Sequence, residues 1–205
     1  MTSNNLINVS VICEGKTELF FVKTVLSPYF ITSNINLLPI VMGGTVSIDK
    51  TVTYINRTIP GIVTTFLDYY GFKRATGKTP EEIMNEISSR SNREHTIPYL
   101  QMYEIEALWF SDIDKIALKM NANHSQKVKL EEIINNFNTP EEINNSYETA
   151  PSKRLEKIFK GYDKPRDGQI IAKEIGVLAI MNKCPRFKKW VDDIILKSMQ
   201  LQGLA

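Results

Sequence analysis

Three apolar runs, each ending on a carboxylate, constrain this chain more than any other feature of it. Ile7-Asn8-Val9-Ser10-Val11-Ile12-Cys13 is β-branched and apolar and closes at Glu14-Gly15. Ile62 to Leu67 closes at Asp68, and Ile97 to Tyr103 closes at Glu104, with Glu106 just beyond. Runs of this length and composition read as buried strands. Leu37 to Met42 reads as another strand, closed by Gly43-Gly44. Helical patterns lie between them. Leu19, Phe20, Val22, Lys23 and Leu26 fall at roughly helical spacing and stop near Pro28. Ser47 is placed to cap a helix reaching Ile59, with Val52, Ile55 and Ile59 on one face. Thr79 caps a helix from Pro80 to Ser91, with Glu81 and Glu82 at its positive end. This alternation predicts an α/β fold with a mostly parallel, four-stranded sheet.

From about Asp112 the strands stop. Residues 127–200 read as short amphipathic helices divided by Asn, Pro and Gly, and Asn135–Asn145 as a polar loop or short helix. The expected organisation is an α/β domain over 1–120 and a helical extension over 121–205, packed as one compact unit. A chain of 205 residues, 42% hydrophobic, can bury one sizeable core. The polar start, Met1 to Asn5, lacks the basic and apolar regions of a signal peptide, and no apolar run approaches the roughly 20 residues that span a bilayer. A cytoplasmic protein with no membrane partner is expected. Cys13 and Cys184 have no partners at zinc-ligand spacing, and two cysteines make no disulfide framework.

The carboxylates carry the chemical argument. Ligands of open parallel sheets sit outside the carboxyl ends of the strands. Glu14, Asp68 and Glu104, with Glu106, could therefore converge there from separate parts of the chain. Glu18 lies four residues after Glu14, one turn into the first helix, and could face the same crevice. Converging carboxylates repel one another unless a cation or protons offset them. Mg²⁺ (or Mn²⁺) prefers such hard oxygen donors and serves phosphoryl chemistry. Taken singly, each carboxylate is read first as a helix or strand cap.

Other chemistries find no support. Gly15-Lys16-Thr17 and Gly77-Lys78-Thr79 are not phosphate-binding loops of the Walker type, because Ser10 and Phe72 stand where the first glycine belongs. Lys16 is a candidate to meet a phosphate, or is simply solvated. His95 and His124 lie in polar segments without metal or triad spacing, and no Gly-x-Ser-x-Gly elbow exists. Residues 1–150 carry 13 Lys and Arg against 17 Asp and Glu, and residues 151–200 carry 12 against 6, so an acidic front precedes a basic back. That division suits a metal site beside a phosphate-binding surface, although a solvated lysine-rich surface explains it as simply. In Pro151-Ser152-Lys153-Arg154-Leu155, Ser152, alone or with Thr149, is the candidate helix cap. Lys153 and Arg154 then stand in a first turn, where cations are unfavourable unless an anion lies near, and both are candidate phosphate ligands. Phe187 and Trp190 are read as core anchors of a last helix running to Met199.

Taken together these blocks resemble a family. Glu14-Gly15-Lys16-Thr17-Glu18 resembles the EGxTE signature of Toprim-like proteins. Phe66-Leu67-Asp68-Tyr69-Tyr70-Gly71, Tyr103-Glu104-Ile105-Glu106-Ala107-Leu108-Trp109-Phe110, Pro151 to Leu155, and Cys184-Pro185-Arg186-Phe187-x-x-Trp190 resemble further blocks of a bacterial Toprim-like family of unknown function. The resemblance runs from about residue 7 to residue 196. It implies a sheet with helices on both faces, and kinship with nucleases of the overcoming-lysogenisation-defect type. It also implies that Glu14 is the first glutamate of the site, Glu18 a second acidic ligand, and Asp68 the first residue of an Asp-x-Asp motif. Tyr70 stands where the second Asp belongs, leaving Glu104 or Glu106 to supply the missing carboxylate. A phage-defence role and an ABC-type ATPase partner are further implications. The expected function is a Mg²⁺-dependent nuclease acting on phosphodiester bonds. The alternative is a catalytically degenerate Toprim module that binds nucleic acid or regulates an ATPase. A topoisomerase-like reaction would need a tyrosine nucleophile, and Tyr69, Tyr70 and Tyr103 are the residues near enough in sequence.

Overall fold

The computed structural model describes residues 6–144 and 147–203. The polar start at Met1–Asn5 and Asn145, which ends the Asn-rich stretch, lie outside them. The chain divides into two units, Met1–Gln101 with Lys189–Ala205, and Met102–Lys188.

The first unit is built on parallel strands. In chain order it holds β1 (Ile7–Cys13), α1 (Lys16–Phe21), a π turn (Val22–Leu26), α2 (Ser27–Phe30), β2 (Ile35–Val41), α3 (Ile48–Asn56), β3 (Ile62–Asp68), α4 (Tyr69–Thr76), α5 (Pro80–Arg90), β4 (His95–Ile97) and β5 (Leu100–Gln101). The strand order is β2-β1-β3-β4, with β5 also pairing β3. All pairs are parallel, and β4 and β5 lie successively along the same side of β3. The α/β class and the first three strands are as the sequence predicts, apart from the start of β2. In β3 every residue from Ile62 to Leu67 is buried, as expected for a central parallel strand covered on both faces. The sheet is flanked by helices: α1 packs on β1 and β2, α2 on β2, and α3 on β1 and against α5.

Two sequence expectations need correction, and both turn on proline. The first helix does not stop at Pro28. The backbone widens into the π turn, and Pro28 then sits in the first turn of α2, where its missing N–H is harmless. The Ser27 hydroxyl donates to the Val22 carbonyl five residues back at 2.9 Å. The fourth strand does not run from Ile97 to Tyr103. It breaks at Pro98, which cannot donate to a ladder, into β4 and β5. Thr64 and Thr65 of β3 bridge the break. The Thr64 hydroxyl donates to the Ile97 carbonyl at 2.5 Å. The Thr65 hydroxyl donates to the Tyr99 carbonyl at 2.7 Å and accepts the Tyr99 N–H at 2.9 Å. A smaller difference is that β2 starts at Ile35 rather than Leu37.

Local signals elsewhere hold. Ser47 caps α3, and Thr79 and Glu82 form a reciprocal capping box on α5. α4 was not legible beforehand. It follows Asp68 without a linker, and Gly71 lets it pass Val46, because a Cβ there would stand 2.3 Å from the Val46 Cγ2.

The second unit contains a buried 3-10 stretch (Ile105–Ser111), α6 (Ile113–Lys119), α7 (His124–Ile134), short 3-10 turns at Pro140–Glu142 and Tyr147–Thr149, α8 (Pro151–Ile158), α9 (Lys164–Lys183) and the start of α10 (Pro185–Leu201). The 3-10 stretch, with Leu108, Trp109 and Phe110 buried, packs against α6, α8 and α9. α9 is broken at Gly176, whose φ of 73° only glycine adopts freely. Among the described residues no helix is long and apolar enough to cross a membrane.

α10 passes from the second unit to the first at Lys189, and its Trp190 enters the core of the first. The indole lies 5.3 Å from the Phe66 ring and 4.7 Å from the Tyr99 ring, both stacked. Its Nε1–H donates to the Thr64 hydroxyl at 2.6 Å. The core-anchor reading of Trp190 and Phe187 therefore holds, since both are buried. Trp190→Ala should destabilise the protein by about 3–5 kcal/mol, the range for deleting a buried aromatic. Equilibrium urea unfolding would read the shift, and a loss under about 1 kcal/mol would contradict this packing.

Candidate functional site

β1 and β3 are neighbours, and that adjacency brings two of the expected carboxylates together. Glu14 follows the last residue of β1 and Asp68 ends β3. The Asp68 N–H donates to the Glu14 Oε2 at 3.4 Å. Glu14 is tied on its other side by its own carbonyl, which accepts the Gly43 N–H beyond β2 at 3.0 Å. The glutamate is thus fixed between the carboxyl ends of three strands, where parallel sheets hold ligands.

Glu18 is buried and folds back onto the same turn. Its Oε2 accepts the Gly15 N–H at 2.9 Å, which shapes the passage from β1 into α1. A Cβ at Gly15 would press on that oxygen at 3.3 Å. Glu18 and burial together push the Cys13 thiol well above its ordinary range, with burial the larger cause, so Cys13 is no nucleophile. Lys16 is exposed on α1. Lys50, unremarked in the sequence, binds its ammonium to the carbonyls of Gly43 and Thr45 and braces the loop after β2.

Sequence reasoning also missed Gln101. It is the register partner of Asp68 across the β3–β5 pair and is 1% exposed. Its Oε1 accepts the Tyr99 O–H at 2.7 Å. A polar side chain inside the apolar run Leu100-Gln101-Met102 was the available signal.

Among the described residues no three His, Cys, Asp or Glu side chains are placed to hold a metal ion together. At the strand ends the available set is Glu14 with Asp68. Two carboxylates suit Mg²⁺, which commonly takes one or two from protein and completes its shell with water or phosphate oxygens.

The remaining candidates fall in the second unit and have protein partners there. Glu104 is not a strand end, because β5 has already stopped at Gln101, and it precedes the 3-10 stretch. Its Oε2 accepts the Ser152 N–H at 2.8 Å. This replaces the expected cap on α8: the cap residue is Ala150, no side chain from the segment itself caps it, and Glu104 is the nearby anion. Glu106 is fully buried, with the Lys164 Nζ 2.9 Å from its Oε2 and 3.9 Å from the Glu104 Oε1. Burial pushes the Glu106 carboxyl up to about 7, against the pull of Lys164 and with some help from Glu104. Arg154 donates from Nε to the Thr149 carbonyl at 2.7 Å and lies 5.5 Å from the Phe137 ring centre, and Lys153 pairs with Glu156 at 2.7 Å. These contacts make Arg154 and Lys153 braces of their own segment. Glu141, read only as part of a polar loop, is buried and accepts the Arg186 and Phe187 N–H groups at 3.0 Å each, capping α10. Beside it lies a cavity of about 330 Å³ walled by Met102, Tyr103, Thr139, Glu142 and Pro185.

A family model described as a domain of unknown function (DUF4276) matches residues 13–195. The chain is similar to the C-terminal region of the Burkholderia pseudomallei OLD protein, at 14% identity and a TM-score of 0.46, covering 92% of this chain and 98% of that one. It is also similar to the C-terminal region of the Xanthomonas campestris pv. campestris OLD protein, at 14% identity and a TM-score of 0.44, covering 94% and 95%. Among curated proteins none matches the chain.

The buried Glu106 makes stability depend on pH. Its carboxyl rises from 4.5 unfolded to about 7 folded, so in that window the folded protein binds the proton more tightly. Stability is therefore highest below the unfolded value and falls as pH rises through the folded one, by on the order of 3 kcal/mol. In EDTA, Glu106→Gln should flatten the fall in denaturation free energy between about pH 5 and about pH 8. An unchanged slope would show that Glu106 does not titrate in this window.

Proposed function

We propose, from the premise that this chain belongs to the DUF4276 family, that it is a Toprim-type, divalent-metal-dependent nuclease. The observation that carries the reading is the Glu14 carboxylate set against the Asp68 N–H at the carboxyl ends of adjacent parallel strands. It agrees with the EGxTE resemblance at Glu14 to Glu18 and with the place of Asp68 in its motif.

Glu14 and Asp68 are the residues that would hold Mg²⁺ or Mn²⁺. Bound there, the cation would polarise a phosphoryl oxygen and ease deprotonation of an attacking water. The protein's own part is positioning. Glu18 and Gly15 fix the turn that aims Glu14, and Lys50 holds the adjoining loop. A site held on strand ends by such bonds loses little freedom when substrate arrives. Lys16, which follows Gly15 and is exposed, is the candidate to meet a substrate phosphate. Glu104, Glu106, Lys153 and Arg154 have partners within the second unit and are not needed for this reading. Nucleic acid is the substrate class. A partner ATPase of the ABC type, a phage-defence role and a cytoplasmic setting accompany the Toprim resemblance.

One observation favours a second reading. Tyr70 stands where a second aspartate would complete the motif, and no three-carboxylate group is assembled among the described residues. A degenerate module that binds nucleic acid or regulates an ATPase would look like this.

Calorimetric titration with Mg²⁺ and Mn²⁺ decides between them. Under the nuclease reading wild type binds, and Glu14→Gln and Asp68→Asn each lose at least the ten- to hundredfold in affinity that removing even an outer partner of a metal site costs. Cleavage of labelled DNA or RNA should fall with it. Metal binding unchanged in both variants would sink the reading. Nucleic-acid binding with no metal binding in any form would establish the degenerate module.

A further inference from the structure

Gln101 is a buried amide with half of its hydrogen bonding unmet. Tyr99 and Gln101 are two residues apart in an extended segment and therefore share a face. The Tyr99 ring packs against both Phe66 and Trp190, at 5.6 Å and 4.7 Å, and those two rings also touch each other. Its hydroxyl donates to the Gln101 Oε1 at 2.7 Å, so the carbonyl end of the amide is anchored to a rigid stack. The Nε2 end is shielded from solvent and has no hydrogen-bond partner. A buried donor left without an acceptor is costly, and an apolar residue of the same shape would fill the space without that penalty.

The register says what lies beside the donor. Asp68 and Gln101 are direct partners across a parallel pair, so their side chains project to the same face of the sheet from neighbouring strands. Turning the amide round would set its carbonyl beside the Asp68 carboxylate, acceptor against acceptor. Both neighbours of Gln101 therefore favour the orientation that points Nε2 toward Asp68. A lysine or arginine at this position would neutralise the carboxylate and compete with a cation, whereas a neutral amide can hold one carboxylate oxygen and leave the other its full charge.

We propose that Gln101 is a positioning residue for the cation site: its Nε2 takes up one oxygen of the Asp68 carboxylate when the other turns to a divalent cation. The proposal rests on the reading of Glu14 and Asp68 as cation ligands. Because the bond is made only in the loaded state, it adds to the affinity for the metal and not to the stability of the empty protein. That difference in sign separates positioning from a merely structural role.

The test is Gln101→Met in the full chain, measured by melting in EDTA and by calorimetric titration with Mg²⁺. The expected result is a melting temperature in EDTA at or above that of wild type, together with an Mg²⁺ affinity about tenfold lower, the scale of outer-sphere effects at metal sites. Tyr99→Phe, which keeps the donor but frees its anchor, should lower the affinity by a smaller factor, and it serves if the methionine variant fails to fold. Mg²⁺ affinity unchanged in the folded variant, while Glu14→Gln abolishes binding, would overturn the role of Gln101 and leave the site reading standing. A variant less stable in EDTA with unchanged affinity would overturn it too, and mark Gln101 as structural. No binding of Mg²⁺ or Mn²⁺ by wild type would overturn the site reading, and this proposal with it.

Discussion

The missing N–H of Pro98 shapes the edge of the first unit's sheet beside Asp68. A strand beside β3 would ordinarily carry an unbroken ladder. Pro98 interrupts it, and the hydroxyls of Thr64 and Thr65 take over the bonds that the backbone cannot make. This explains two buried threonines in the most enclosed strand of the sheet, where aliphatic residues would otherwise be expected. Thr64 has a second duty, since it accepts the indole N–H of Trp190 while donating to Ile97. One side chain thus satisfies a broken strand and an aromatic anchor from the end of the chain. Beyond the break, β5 resumes just long enough to set Gln101 in register with Asp68.

Buried and half-buried carboxylates in this protein differ in what they face. Glu18, Glu104 and Glu141 accept backbone N–H groups at turns and helix starts. Such bonds satisfy donors that a helix leaves unmet. Glu106 is a different case. It is fully buried against one ammonium, and its raised pKa reflects desolvation that Lys164 only partly offsets. Removing either partner of such a pair is costly even where the pair itself adds little net stability. Its geometry is that of an internal strut.

Much of the first unit was legible because its signals are local. β-branched runs, Ser47, and the Thr79 to Glu82 box each specify their element within a few residues, and the structure keeps them. What was not legible is non-local. Nothing near Pro98 in sequence announces that threonines some thirty residues earlier would bridge it. Nothing near Ser152 announces a cap from Glu104, or near Arg186 one from Glu141. In each case the partner lies far along the chain, where propensity and periodicity carry no information. The π turn before Pro28 is of another kind: the sequence marks the obstacle, but stopping and widening the helix are both physical answers to it.

The same distinction separates the expected carboxylates. The inference from sequence was that acids following strands meet at the carboxyl edge. It holds for Glu14 and Asp68 because β1 and β3 are direct neighbours in register, so that strand ends bring side chains within reach of the adjoining backbone. Glu104 does not meet the rule's condition, which needs the strand to persist up to the acid, because the ladder here ends at Gln101. Two residues of non-strand backbone, Met102 and Tyr103, are enough to remove the geometric guarantee, and Glu104 accepts the Ser152 N–H. A carboxylate after an apolar run is thus informative only where the run is a strand to its last residue. Gln101, which does end its strand, is the residue that the rule selects at this position, and its buried amide is the polar group the edge holds beside Asp68.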